Sequence, residues 1–164
     1  MEYRSLGKSD LLVSPIVLGT WQFDSTAWEG SNERDSIRTV HAALDLGINT
    51  VDTAEAYGES EEILGKAVEG RRDKVCIVSK ANRRPEEIRS TVEQSLSRLR
   101  TDYIDVYLAH YPPKAPPYYS VLEELDRLRE EGKLRALGVS NFTRYQLEQT
   151  LSVLRFDVDR KSVV

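Results

Sequence analysis

With a single cysteine, Cys76, among 164 residues, the chain has no means of closing an internal disulfide. Cys76 lies inside an apolar run, where a lone thiol is a small core hydrophobe before it is a reactive group. No apolar stretch approaches the roughly 18 residues of a membrane span. The opening, MEYRSLGKSD, lacks the apolar segment of a secretory signal. Positive charge is not in excess either: 23 Lys and Arg face 27 Asp and Glu, for a net charge of −4. That balance argues against nucleic acid or an anionic membrane as the main partner. The expectation is a cytoplasmic protein of a reducing compartment.

What the sequence does have is ordinary globular composition, 40% hydrophobic and 30% charged, enough to fill one core. No shift in composition marks a second domain, so residues 1–164 read as one domain. Residues 2–15 read as a hairpin that turns at Gly7-Lys8-Ser9-Asp10 and closes at Pro15. Short apolar runs follow at 16–18, 48–52, 75–80, 104–110 and 135–140. Each is nearly continuous, the pattern of a parallel strand covered on both faces.

Helical spacing fills the intervals. Ile37, Val40 and Leu44 share a face over 33–46, and Gly47 stops that helix. A helix near 60–69 buries Ile63, Leu64 and Ala67. Pro85 opens a third helix, with Ile88, Val92, Leu96 and Leu99 on one side. The fourth covers 118–131. The last begins at Thr143, where Thr143 and Gln146 form a capping box. The class is therefore α/β, with an N-terminal hairpin and about five βα units, and Phe156-Asp157-Val158 as part of a sixth strand.

Asp52, Lys80, His110 and Ser140 stand at the ends of successive strands, 28, 30 and 30 residues apart. In a (β/α) barrel such ends share one rim, where chemistry is done. Strand parity puts Asp52 with Thr50 and Ile48, Lys80 with Val78 and Cys76, and His110 with Leu108 and Val106, each at the end of an inward row. A lysine there is partly desolvated, with Asp52 as its nearest counter-ion. Tyr57 follows Asp52 on the next loop. An ammonium beside it is expected to lower the phenol pKa and make it a general acid. His110 is placed to donate a hydrogen bond to the same substrate oxygen. Such a set suits protonating a carbonyl oxygen while a cofactor delivers hydride.

The stretches YRSLGKSDLLVSPIVLGTWQF, DLGINTVDTAEAYGESEEILGKA, VSKA, DYIDVYLAH and GKLRALGVSNF resemble the aldo-keto reductases, above all the bacterial general-stress type, over residues 2–154. The resemblance implies a (β/α)8 TIM-type barrel, here incomplete. It implies reduction of aldehydes or ketones with NADPH, or with NADH, without a metal. Its catalytic group carries over to Asp52, Tyr57, Lys80 and His110. Cofactor contacts carry over to Gly19, Thr20, Trp21, Asp52, Ser140 and Asn141, and substrate contacts to Trp21, Tyr57, His110 and Tyr111. The motif HYPP at 110–113 departs from the family's HWP by an aromatic exchange at Tyr111. The family's strand-six glutamine, its nicotinamide-stacking tyrosine and its later phosphate-binding groups have no counterpart here.

Bland readings stand beside these. His41 is a packing or surface residue, and Tyr118-Tyr119 a helix start. Trp21, Phe23 and Trp28 are a substrate wall or simple packing. Closing a barrel takes eight strands and about 250 residues, so open strand edges and an apolar inner face are expected to drive self-association, or else the chain is part of a longer barrel. A non-catalytic half-barrel that assembles through its edges is one rival reading. Schiff-base chemistry at Lys80 is another.

Overall fold

In the computed structural model, which describes residues 1–160, an antiparallel hairpin precedes a curled parallel sheet. The hairpin consists of β1 (Arg4–Ser5) and β2 (Leu12–Val13). Then come β3 (Val17–Gly19), α1 (Glu33–Asp45), β4 (Thr50–Asp52), α2 (Ser60–Ala67), β5 (Cys76–Ala81), α3 (Pro85–Leu99) and β6 (Ile104–Ala109). The chain continues through α4 (Ser120–Glu130), β7 (Leu134–Ser140), α5 (Arg144–Leu151) and β8 (Val158–Arg160). Sheet order is β3-β4-β5-β6-β7-β8, and every neighbouring pair is parallel. This is a half-barrel of six strands, with helical crossovers on its convex side from β3 to β8.

Local sequence explains where the helices begin and end. The Asn32 side chain accepts the Asp35 N–H at 3.0 Å and starts α1, and Gly47 at φ +84° ends it. Pro85 takes the first turn of α3, where a missing N–H costs nothing. Thr143 accepts the Gln146 N–H, and Gln146 Oε1 accepts the Thr143 N–H at 2.8 Å, which opens α5.

Two apolar layers result. Outside the sheet, Val51, Ile77, Tyr107 and Leu137 pack against helix residues such as Leu64, Val92, Leu122 and Leu125. Inside it, Cys76, Val106, Leu108 and Ala136 meet Leu6, Leu11 and Val13 of the hairpin, which plugs the bottom of the half-barrel. Each fully buried aliphatic side chain contributes about 1.5–3 kcal/mol. Asp105, also buried, holds that lower end by pairing with Arg72 at 2.8 Å and Arg135 at 3.0 Å and accepting the Ile77 N–H.

The sixth strand lies two residues beyond its expected place. The Asp157 N–H already bonds to the Leu137 carbonyl, but regular pairing with β7 runs from Val158 to Arg160, with Arg160 beside Ser140. The Asp157 carboxylate accepts the Leu137 N–H and so interrupts the ladder just before it. The strand read from 48 begins at Thr50, because the Ile48 N–H still bonds to Ala43 of α1. No helix among the described residues is long and apolar enough to cross a membrane.

Candidate active site

Asp52, Lys80 and His110 reach one rim, and the inward rows expected from parity are observed except at Ile48, which precedes β4 and does not line the cavity. Thr50, Asp52, Val78, Val106 and Leu108 line a cavity of about 280 Å³ together with Val158 and Arg160. At its upper edge the fully buried Lys80 donates to Asp52 Oδ1 at 2.7 Å and to the Thr53 carbonyl at 2.5 Å. Burial holds the Lys80 pKa below its ordinary value, and the Asp52 carboxylate offsets this only in part. An ammonium held this tightly is a counter-ion rather than a free nucleophile, which disfavours Schiff-base chemistry.

Tyr57 lies on the loop between β4 and α2, half-buried. Its ring centroid is 5.0 Å from Lys80 Nζ and 5.9 Å from the centroid of His110. The expectation that Lys80 lowers the Tyr57 pKa is not met. The phenol is pushed up, first by loss of water and then by the negative charge of Asp52, with Arg160 opposing. Lys80 spends its charge on Asp52 and on a carbonyl, so the carboxylate and the burial prevail.

His110 is buried, and its pKa is pushed down to about 4 by burial, Lys80 and Arg160. The imidazole is therefore neutral at neutral pH. Its Nδ1 is buried with no hydrogen-bond partner in the protein. Its ring stacks on Tyr111 with centroids 4.8 Å apart. Tyr111 and Trp21 are both about half exposed on the rim, and Trp21 makes an edge contact with Trp28 at 5.1 Å. Phe23, by contrast, is buried in the outer core.

At the end of β7, Asn141 adopts φ +63° and donates its amide N–H groups to the His110 carbonyl at 3.0 Å and to Ser140 Oγ at 3.1 Å. With both amide protons spent, what Asn141 has left to offer is its carbonyl oxygen. Beside the Ser140 hydroxyl it completes an acceptor and donor pair that complements a carboxamide. The residues present therefore fit the amide end of a nicotinamide. Gly19 and Trp21 border the same rim from β3, and Thr20 between them is fully buried.

Arg160 is the site residue that sequence reasoning missed. Its Nε lies 3.2 Å from Asp52 Oδ2, so one carboxylate is shared by two cations. The available signal was positional, since Arg160 ends a strand in the same way as Lys80 and Ser140. His41, read as packing, lies 2.9 Å from the Ala67 carbonyl through Nε2, and Tyr119 immediately precedes α4.

A family model described as the aldo/keto reductase family matches residues 15–162. The chain belongs to the aldo/keto reductase family. Aldo-keto reductase YhdN of Bacillus subtilis is 44% identical over 165 positions, which cover 90% of this chain and 49% of that protein. The NADH-specific methylglyoxal reductase of Escherichia coli is 33% identical, over 96% of this chain and 57% of its own length. Among solved aldo/keto reductase folds, the glycerol dehydrogenase AKR11B4 of Gluconobacter oxydans superposes with a TM-score of 0.87 at 35% identity, over 97% of this chain and 54% of that one. The chain spans about half the length of the curated aldo/keto reductase relatives it matches.

Proposed function

We propose that this chain carries the proton-donating part of a nicotinamide-dependent carbonyl reductase site, converting an aldehyde or ketone to an alcohol. The observation that carries the reading is the buried Asp52–Lys80 pair at 2.7 Å beside Tyr57 and His110 on one strand-end rim. A bound NADPH or NADH would supply the hydride. Ser140 and Asn141 would hold its carboxamide, and the backbone of Gly19, Thr20 and Trp21, together with Asp52, would border it.

The chain's own residues handle the oxygen. Tyr57, held protonated, gives its phenolic proton to the carbonyl oxygen as negative charge develops there. Neutral His110 supplies an imidazole N–H to the same oxygen and orients it. Asp52 holds the Lys80 ammonium in its buried position beside the phenol, which keeps the phenol in place. Trp21 and Tyr111 form an apolar border for the substrate.

A titration of the 164-residue chain with NADPH, followed by cofactor fluorescence, tests this reading. Saturation at micromolar concentration supports it, and turnover of methylglyoxal, the substrate named for one relative, completes it. Absence of binding up to millimolar cofactor overturns it. The open ends of the sheet at β3 and β8 among the described residues favour a second reading, a half-barrel that assembles with another copy. Assembly without cofactor binding would select that one.

A further inference from the structure

Behind the rim, three hydroxyl groups meet. Thr20, Thr53 and Ser60 are all fully buried. Ser60 Oγ is the hub, 2.5 Å from Thr20 Oγ1, 3.0 Å from Thr53 Oγ1 and 2.9 Å from the Thr20 carbonyl. Thr20 Oγ1 in turn lies 3.1 Å from the Asp52 carbonyl, which also accepts the Thr20 N–H at 3.0 Å. Each hydroxyl has a single proton to give. All three protons find acceptors when Thr53 donates to Ser60, Ser60 to the Thr20 hydroxyl or carbonyl, and Thr20 to the Asp52 carbonyl. Loss of the Ser60 hydroxyl from so buried a chain leaves the Thr53 hydroxyl without its partner.

The knot adjoins Trp21, Asp52, Lys80 and the loop of Tyr57. Thr20 precedes Trp21. Thr53 follows Asp52, and its carbonyl receives Lys80. Ser60 opens α2 directly after the loop that bears Tyr57. That loop is a pair of consecutive turns, with the Tyr57 N–H bonded to Ala54 and the Ser60 N–H bonded to Tyr57, each at 3.0 Å. Both its ends, Thr53 and Ser60, are therefore tied into the same knot. The next residue, Glu61, is buried as well. It accepts from Ser79 Oγ at 2.6 Å and Arg98 Nε at 2.8 Å, which fixes the start of α2 to the strand that carries Lys80.

We infer that Thr20, Thr53 and Ser60, backed by Glu61, are positioning residues that set the Tyr57 phenol against the Asp52–Lys80 pair and Trp21. The inference rests on the reading of Tyr57 as the proton donor. These residues act through the backbone they hold, and none of the three hydroxyls faces the cavity.

The test uses ring-labelled ¹³C-tyrosine spectra of the whole chain, with the Tyr57 signal assigned by its loss in Tyr57→Phe. Ser60→Ala removes the hub, whereas Thr20→Ser removes a methyl group and keeps every hydroxyl. Tyr57 sits between the rings of Trp21, at 6.4 Å, and His110, so a change in its placement changes its shift. Ser60→Ala is expected to move the Tyr57 signal and leave the other tyrosines, among the chain's eight, in place. Thr20→Ser should leave all of them in place. Thr20→Val serves if Ser60→Ala does not fold. An unmoved Tyr57 signal, an equal shift in Thr20→Ser, or a general shift of all tyrosines overturns the inference. Where methylglyoxal is turned over, Ser60→Ala should lower kcat about 10- to 100-fold with KM within about twofold. If the unaltered chain has no turnover, the reductase reading fails, and the tyrosine spectra still decide whether the knot positions Tyr57.

Discussion

Lys80 Nζ donates to Asp52 Oδ1 at 2.7 Å and stands 5.0 Å from the centroid of the Tyr57 ring. The ammonium is thus fastened to the carboxylate while it lies over the phenol. In the proposed reaction, the placement of the Tyr57 phenol and the stability of the inner face depend on the same buried pair.

Breaking that pair should be costly. Lys80→Met leaves Asp52 paired with Arg160 alone among the described residues and should destabilise the fold by about 3–5 kcal/mol. Adding Asp52→Asn should recover a large part of the loss. Urea unfolding at constant m-value measures both, and an unchanged midpoint for Lys80→Met would show that the pair contributes nothing.

His110 predicts an acid-side loss of stability. Its pKa falls from 6.5 in the unfolded chain to about 4 in the folded one. Between those values the unfolded chain takes up a proton that the native protein refuses. Stability therefore drops as pH falls from 6.5 to 4, by on the order of 3 kcal/mol, and this contribution is level outside the window. The difference between the unaltered chain and His110→Gln in urea unfolding across that range isolates it.

Tyr57 should ionise late. Because burial and Asp52 raise its pKa, the difference in phenolate absorbance between the unaltered chain and Tyr57→Phe should have its midpoint above pH 10. A midpoint below that pH would restore the original expectation of an activated phenol. In the reductase assay, Tyr57→Phe should lower kcat about 10²- to 10⁴-fold without changing cofactor affinity.

Gly65 marks the closest approach of α2 to α3. A Cβ there would lie 2.6 Å from the Arg98 carbonyl oxygen and 2.8 Å from the Leu99 carbonyl carbon, both backbone atoms. Gly65→Ala must push the helices apart, which should cost about 1–3 kcal/mol in thermal or urea unfolding.

The inner face predicts association. Among the described residues, Val17, exposed on edge strand β3, and the cavity lined by Val78, Val106 and Val158 present apolar surface beside a sheet edge without a paired strand. Sedimentation of the isolated chain should give a species larger than the monomer. A monomer across the micromolar range would refute this.

Much of the fold was legible because strand and helix periods are local. The apolar runs ending at Asp52, Lys80, His110 and Ser140 became parallel strands, and alternation along them correctly assigned the inward rows apart from Ile48. Caps at Asn32, Pro85 and Thr143 mark helix starts for reasons contained within a few residues. Arg160 was not legible in this way. It belongs to a short strand whose place is set by pairing with Ser140 across the sheet.

The sequence by itself determined the family, the order of strands and helices, and the approach of Asp52, Lys80 and His110 to one rim, because spacing and parity are properties of the chain. Tertiary structure alone decided how the charges are shared. Whether Lys80 serves Asp52 or Tyr57, whether the phenol pKa rises or falls, and that Thr20, Thr53 and Ser60 meet behind them all depend on distances of 2.5–5.0 Å between segments far apart in sequence. At that range electrostatics and hydrogen bonding change steeply with position, and no periodicity encodes them.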